Sequence, residues 1–393
     1  MFQKRIDLNL LNLMEQRYDK KISRREFVRY AALLGASVAG AYGMVGLSAP
    51  KNAYAAGKKA ERGGTLKIIT SIQKATHPAR FFLMSISNIF RNVAEYLTWT
   101  DKDNITHPYL LENWKASLDL KTWTLNLKKG IRFNNGDELT VDDVIFSLKQ
   151  WLDKDVGSSI LGLMGGYLSP SGIERSGKYQ VKLHLKHPEI AVPEHLFHYP
   201  ALILNHKTFE GDFIKAPHGT GPYVMEMYRE GELCRLTRRP DENPYWQNGA
   251  DGKPLPYMDG MEFIDMGSVD FYISGLYNGK ADMADPAGPG SIEIYKALKN
   301  DPRFKIKQIP SARTHILNMR ADLKPWNDNR VRMALKLCQR REKLLALVYS
   351  NQGLFMSPRP IRNTAKNRFL GIILKKQSIF WEKPGMGTGW MSI

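Results

Sequence analysis

The run Thr122-Trp123-Thr124-Leu125-Asn126-Leu127, then Lys129-Gly130-Ile131-Arg132-Phe133, Asn134-Asn135-Gly136-Asp137 and Thr140-Val141-Asp142-Asp143-Val144, carries three structural signals in close succession. Alternating apolar and polar residues over Thr122 to Leu127 predict a half-buried strand. Asn135-Gly136 supplies the positive-φ positions of a tight hairpin. Thr140 with an acid three residues on, Asp143, is the pattern of a helix N-cap, and Val144, Phe146, Leu148 and Trp151 give the helix its apolar face.

Upstream of this run, Gly63-Gly64 leads into Thr65-Leu66-Lys67-Ile68-Ile69-Thr70, a second alternating segment that predicts a first strand. A polar loop over 71–78 follows. Residues 81–97 then place Phe82, Ile86, Ile89, Phe90, Val93 and Leu97 at helical spacing. Strand, loop and helix in that order open an α/β fold. Downstream, Lys178-Tyr179-Gln180-Val181-Lys182-Leu183-His184-Leu185 alternates again.

The chain has 393 residues, enough for two or three domains with a sizeable core. With 43% apolar and 24% charged residues, general disorder is excluded. The net charge of +18 suggests an acidic partner until its distribution is considered: residues 1–55 carry +5, residues 351–393 carry +6, and the body between keeps +7. Without a recognisable module or a basic stripe interleaved with aromatics, nucleic-acid binding is not expected. Cys234 and Cys338 are too few for a zinc site or a disulfide framework; two buried free thiols are expected, with a single bridge as the alternative.

The amino terminus has the form of an address. Arg24 and Arg25 precede an apolar stretch over 30–47, and Ala53-Tyr54-Ala55-Ala56 offers the small residues that a signal peptidase needs, with cleavage after Ala55. The pattern resembles a twin-arginine export signal. A membrane anchor is the competing expectation, weakened by the four glycines in the stretch and by the nearby cleavage box.

A more specific resemblance emerges over residues 108–148. The Trp-x-x-Ser of Trp114 to Ser117, the Thr-Trp-Thr-Leu-x-Leu-x-x-Gly-Ile-x-Phe that starts at Thr122, and the Asn-Gly-Asp-x-Leu-Thr-x-Asp-Asp-Val that starts at Asn135 resemble the hallmark segment of extracellular solute-binding family 5. Further matches follow in family order: His218-Gly219-Thr220-Gly221-Pro222-Tyr223, Gly231-Glu232-Leu233, Asn243-Pro244-Tyr245-Trp246, Gly279-Lys280-Ala281-Asp282, and Pro325-Trp326-Asn327-Asp328-Asn329-Arg330-Val331-Arg332-Met333-Ala334-Leu335. The similarity spans roughly 63–350.

The resemblance implies an α/β, two-lobed periplasmic-binding-protein fold of type II with an extra small domain inserted in the first lobe. Mapped onto this chain, 1–55 is a leader, 56–90 with 180–284 is lobe 1, 91–179 is the insertion, 285–350 begins lobe 2, and 351–393 is an aberrant tail. It also implies the binding component of an ATP-binding-cassette importer, not an enzyme, working as a monomer in the periplasm after twin-arginine export. Oligopeptides or similar small solutes are the expected ligands, and the permease membrane subunits the expected partners. By position, three loops match the family's ligand-lining segments, which singles out Ser71, Gln73, Thr76, Asp285, Ala287, His315 and Asn318. Motifs for covalent chemistry are absent: there is no Gly-x-Ser-x-Gly, no His-Glu-x-x-His and no phosphate-cradling glycine loop.

Three alternatives stay open beside this expectation. The ligand could be a nickel chelate, an opine or another non-peptide solute; the chain could be an exported cofactor-bearing enzyme; or the product could be non-functional. His184, His187, His195, His198 and His206 are suited to nickel by ligand type but show no fixed ligand spacing, so no metal and no cofactor is expected. After Asn351-Gln352-Gly353 the family pattern stops, whereas relatives continue well past this point. An incomplete second lobe, from a frameshift or early stop, is the expectation there.

Overall fold

The computed structural model describes residues 8–48, 61–285, 291–307, 317–349 and 380–382. Its strands are β1 (Thr65–Ile69), β2 (Thr98–Thr100), β3 (Thr106–Pro108), β4 (Leu111–Ala116), β5 (Thr122–Leu127), β6 (Ile173–Gly177), β7 (Gln180–His184), β8 (Tyr223–Arg229), β9 (Leu233–Arg238), β10 (Gly260–Ile264), β11 (Met283–Ala284), β12 (Lys305–Lys307) and β13 (Phe380–Glu382). The chain divides into two compact units. Among the described residues, one comprises those up to 66 together with 72–263; the other comprises 67–71 and those from 264 to 382.

In the first unit, β4, β5, β7 and β6 form an antiparallel sheet in that order. The alternation of β5 does what its sequence predicts: Trp123, Leu125 and Leu127 are buried, and Thr122, Thr124 and Asn126 are half-buried. Register pairs Trp123 with Leu183 and Leu125 with Val181, so the two strands bury the same face. The helix Val141–Leu152 covers that sheet with Val144, Leu148 and Trp151, while Phe146 sits only half-buried beside them. Its capping box forms: the Thr140 N–H donates to Asp143 Oδ2 at 2.8 Å. Asp143 is itself buried, because its other oxygen accepts from the His206 backbone N–H at 3.1 Å and meets His206 Nδ1 at 2.7 Å.

The hairpin over 133–137 differs from expectation in one respect. Only Gly136 takes positive φ, at +91°, and Phe133 N–H donates to Asp137 O at 2.8 Å. Asn135 keeps an ordinary backbone because three residues span the loop, and the left-handed conformation falls on the last of them.

A larger departure concerns residues 81–97, expected as one helix. The helix is Met84–Phe90, and Phe82 is 69% exposed. Beyond Phe90 the chain's carbonyls are claimed by other segments: Gly221 N–H donates to Val93 O at 2.8 Å, Tyr223 N–H to Asn92 O at 3.1 Å, and Leu111 N–H to Leu97 O at 3.0 Å. Tertiary hydrogen bonds override local periodicity here.

The turn that supplies those N–H groups explains its own glycines. A Cβ at Gly219 would lie 1.9 Å from the Val93 carbonyl oxygen, and one at Gly221 would lie 2.6 Å from that of Asn92. Only a residue without a side chain allows this approach of two backbones. Beyond the turn, β8 pairs antiparallel with β9, and β10 lies on the other side of β9.

In the second unit, β1 pairs in parallel with β11, Ile68 opposite Met283 and Ile69 opposite Ala284. Asp282 locks this junction, its backbone N–H donating to Lys67 O at 2.9 Å and its carboxylate accepting from Lys67 N–H at 3.0 Å. Helices Val269–Tyr277 and Ser291–Leu298 bury Leu276, Ile294 and Leu298 against Ile69 and Ala284. The helix Asn329–Cys338 lies in the family-like run that starts at Pro325 and is capped by Asp328, which accepts from Arg330 N–H at 2.8 Å. None of its residues is buried, and Met333 and Leu337 are exposed.

Cys234 is buried and Cys338 exposed, both as free thiols. The expectation of two buried thiols therefore holds for Cys234 alone. Burial pushes the Cys234 thiol up to about 12. A thiol reagent at neutral pH is expected to label Cys338 rapidly and Cys234 only on unfolding, which mass analysis of timed aliquots would measure.

Candidate functional site

The loop after β1 is the part of the expected ligand site that the structure describes most fully. In the first unit its backbone is pinned at three points. Ile72 O accepts from Gly231 N–H at 2.8 Å, Gln73 O accepts from the Tyr228 hydroxyl, and Thr76 O accepts from Phe213 N–H at 2.7 Å. Between these anchors the Gln73 and Thr76 side chains are half-buried. His77 closes the loop as a buried residue: Nδ1 accepts from Ala79 N–H at 3.2 Å, Nε2 meets Gln150 Oε1 at 3.0 Å, and the ring packs edge-on against Phe209. Burial holds its pKa below the ordinary histidine value.

In the second unit, Ser71 follows β1 and Asp285 follows β11, both half-buried. Asp285 N–H donates to Ile69 O at 2.9 Å, and Thr70 Oγ1 donates to Asp285 O at 3.3 Å. Because β1 and β11 are parallel neighbours, Ser71 and Asp285 stand beyond the carboxyl ends of adjacent strands. That is where open α/β sheets take their ligands. Asn318 is exposed in the same unit. Ala287 and His315 lie outside the described residues, as do Ala53 and Ala55 of the cleavage box. Arg24 and Arg25 open a helix and are exposed.

The histidines singled out for nickel are held separately. His184 Nε2 meets Glu174 at 2.6 Å, His195 Nδ1 meets the Tyr167 hydroxyl at 2.9 Å, and His206 serves Asp143. Among the described residues no three His, Cys, Asp or Glu side chains stand close enough to hold a metal ion.

One polar cluster was not singled out in the sequence. Glu95 is buried, and its carboxylate accepts from Tyr109 at 2.5 Å, from Tyr245 and from Trp246 Nε1 at 2.9 Å. Lys128 Nζ lies 4.6 Å over the Trp246 ring. Buried Arg239 spends its guanidinium on backbone oxygens, those of Asn243 at 3.0 Å, Arg132 at 3.0 Å, Thr220 at 3.3 Å and Phe133 at 2.9 Å, and on Asn243 Oδ1 at 2.7 Å. These contacts tie the glycine turn, the 133–137 loop and the Asn243-Pro244-Tyr245-Trp246 segment together. A cavity of about 300 Å³ adjoins them, lined by Arg62, Arg238, Tyr245, Lys253, Tyr257 and Asp259 among others.

Burial pushes the Glu95 carboxyl above the ordinary carboxylate range, against donors from Tyr109, Tyr245 and Trp246 that favour its charge. A carboxyl with a raised folded pKa holds its proton more tightly folded than unfolded. Its contribution to stability is therefore lost as pH rises from the unfolded value through the raised one. Denaturant midpoints of the first unit are expected to fall over that window, and Glu95→Gln to flatten the fall.

The family model "Bacterial extracellular solute-binding proteins, family 5 Middle" matches residues 106–358. Di/tripeptide-binding protein 2 of Pseudomonas aeruginosa is 26% identical over 275 residues, covering 63% of this chain and 48% of that protein. The probable ABC transporter periplasmic-binding protein SapA of Escherichia coli is 25% identical over 266 residues, 62% of this chain and 46% of its own length. The chain thus spans about half the length of the curated relatives it matches. Among solved structures, DppA of Helicobacter pylori with the peptide STSA superposes with a TM-score of 0.65 at 20% identity, covering 80% of this chain and 64% of that one. NikZ of Campylobacter jejuni with Ni(L-His) gives 0.62 at 23%, covering 75% and 57%. At these identities the likeness is one of fold.

Proposed function

The chain belongs to the bacterial extracellular solute-binding proteins, family 5, and we propose that it captures oligopeptides or similar solutes for a membrane permease of the ATP-binding-cassette type. The observation that carries this reading is the family match over 106–358, joined to relatives named for di- and tripeptides. We assign the ligand to the loops holding Ser71, Gln73, Thr76, Asp285, Ala287, His315 and Asn318. The pinned backbone of 72–76 suits a ligand recognised through its main chain, since rigid loops leave side-chain space uncommitted. On this reading the protein works outside the cytoplasm, as a single copy, after export through the twin-arginine signal at Arg24 and Arg25 and cleavage after Ala55. The domain division runs as the family pattern implies: leader 1–55, lobe 1 in 56–90 and 180–284, insertion 91–179, and lobe 2 from 285.

A second reading, a receptor for a nickel chelate or an opine, is favoured by fold neighbours solved with Ni(L-His) and with agropinic acid. Calorimetric titration of the chain from residue 56 separates the two. Heat on adding tri- to pentapeptides and none on adding Ni(L-His) or agropinic acid is the expected result; the reverse pattern would replace the peptide reading with the second one.

A further inference from the structure

Residues 24–47 hold the arginine pair and the apolar stretch of the export pattern, yet the structure seats them, with the helix before them, in the first unit. Three helices form: α1 (Leu8–Tyr18), α2 (Arg24–Leu33) and α3 (Val38–Met44). Ser23 caps α2 in a reciprocal box, its N–H donating to Glu26 Oε2 at 2.7 Å and its Oγ accepting from Glu26 N–H at 3.2 Å. The apolar stretch over 30–47 is not one helix. Gly35 at φ +94° and the Ser37 N-cap break it, and no helix among the described residues is long and apolar enough to cross a membrane.

The inner face of this bundle is closed. Leu13, Phe27, Val28, Ala31, Ala32, Leu34 and Ala41 form one buried cluster with Ile105 of the body, and Leu120 and Ile190 pack at its margin. Polar contacts fix the register: Trp114 Nε1 donates to Leu33 O at 2.9 Å, Asn9 Nδ2 to Ser117 O at 3.3 Å, and Arg29 Nη2 to both Glu194 oxygens at 2.9 and 2.8 Å. A Cβ at Gly35 would lie 2.6 Å from the Trp114 carbonyl oxygen, so backbone meets backbone there. Arg24 and Arg25 stay exposed on the outside.

We propose that the first unit carries a docking seat for its own leader, formed by Ile105, Trp114, Ser117 and Glu194, and that the docked leader acts as a latch. The residues that bury against this seat are the apolar ones that a membrane or a signal receptor would have to hold. The same side chains cannot serve both, so engagement outside requires undocking from the body. The arginine pair remains readable while the apolar segment is sequestered. This inference is independent of which solute the protein binds.

The test uses the full chain with a specific protease site inserted between residues 49 and 60. After cutting, the leader fragment is expected to co-elute with the body in size exclusion, and its amides over 27–34 to exchange at least about a hundredfold more slowly than in the isolated peptide. Ala31→Arg, which places a charge at a fully buried leader position, is expected to release the fragment while the body keeps its near-ultraviolet dichroism. Gly35→Val should do the same through the Trp114 carbonyl. Separation of the unaltered fragment from a folded body would overturn the latch. Retention of the Ala31→Arg fragment would overturn this seat.

Discussion

Gly219→Ala is expected to abolish stable folding of the first unit, with a loss of more than about 4 kcal/mol, the range reached when a buried substitution has no room to relax. The new methyl would lie 1.9 Å from the Val93 carbonyl oxygen and 2.8 Å from the Ala94 Cα. Both obstacles are backbone, so no side-chain rotation relieves them. Separating the two segments would break the hydrogen bonds from Gly221 to Val93 and from Tyr223 to Asn92, and would loosen the anchor that starts β8. Gly231, at φ +71° with open space around its Cβ position, is the contrasting case. Alanine there meets backbone strain alone, about 1–2 kcal/mol. Chemical denaturation of the two variants, followed by tryptophan fluorescence, reads the difference.

The second large effect is expected at Arg239. Arg239→Leu should cost about 3–5 kcal/mol, the scale for stripping a buried charged donor from its acceptors. Four carbonyl oxygens and the Asn243 side chain would each lose a hydrogen bond, although Phe133 O keeps those from Asn243 Nδ2 and Gly136 N–H. Lysine is not a conservative replacement, because three donors on one nitrogen cannot reach acceptors spread around a planar guanidinium. Arg239→Lys is therefore expected to recover less than half of the loss. Equal stability of all three proteins would show that the cluster contributes little.

These two sites also mark the limits of what the amino-acid sequence discloses. The strand at Thr122–Leu127 and the Thr140–Asp143 cap were legible because each depends on residues within one local period or one turn. The glycine turn was legible as a pattern, but its cause was not. Its steric need comes from Asn92 and Val93, residues that periodicity assigns to a helix. Glu95 escaped notice for the same reason: it lies inside that apolar stretch, and its partners Tyr109, Tyr245 and Trp246 are brought to it only by the tertiary fold.

The candidate ligand residues were placed by resemblance, because loops carry no period. For Ser71, Gln73, Thr76 and Asp285 the structure adds a physical reason: pinned backbone and the carboxyl ends of parallel strands. It adds none for Asn318, which is exposed. The amino-terminal segment is the reverse case. Its resemblance to an export signal was visible in sequence, while the burial of Phe27, Val28 and Ala31 against Ile105 was not, because amphipathic docking of a short helix depends on a partner surface elsewhere in the chain.

Hydrogen exchange of the chain from residue 56, with and without a tripeptide mixture, tests the central claim most directly. Slowed exchange is expected in peptic fragments covering 71–76 and 285–318, with β4 to β7 unchanged. Unaltered exchange in both loop segments at saturating peptide would contradict it.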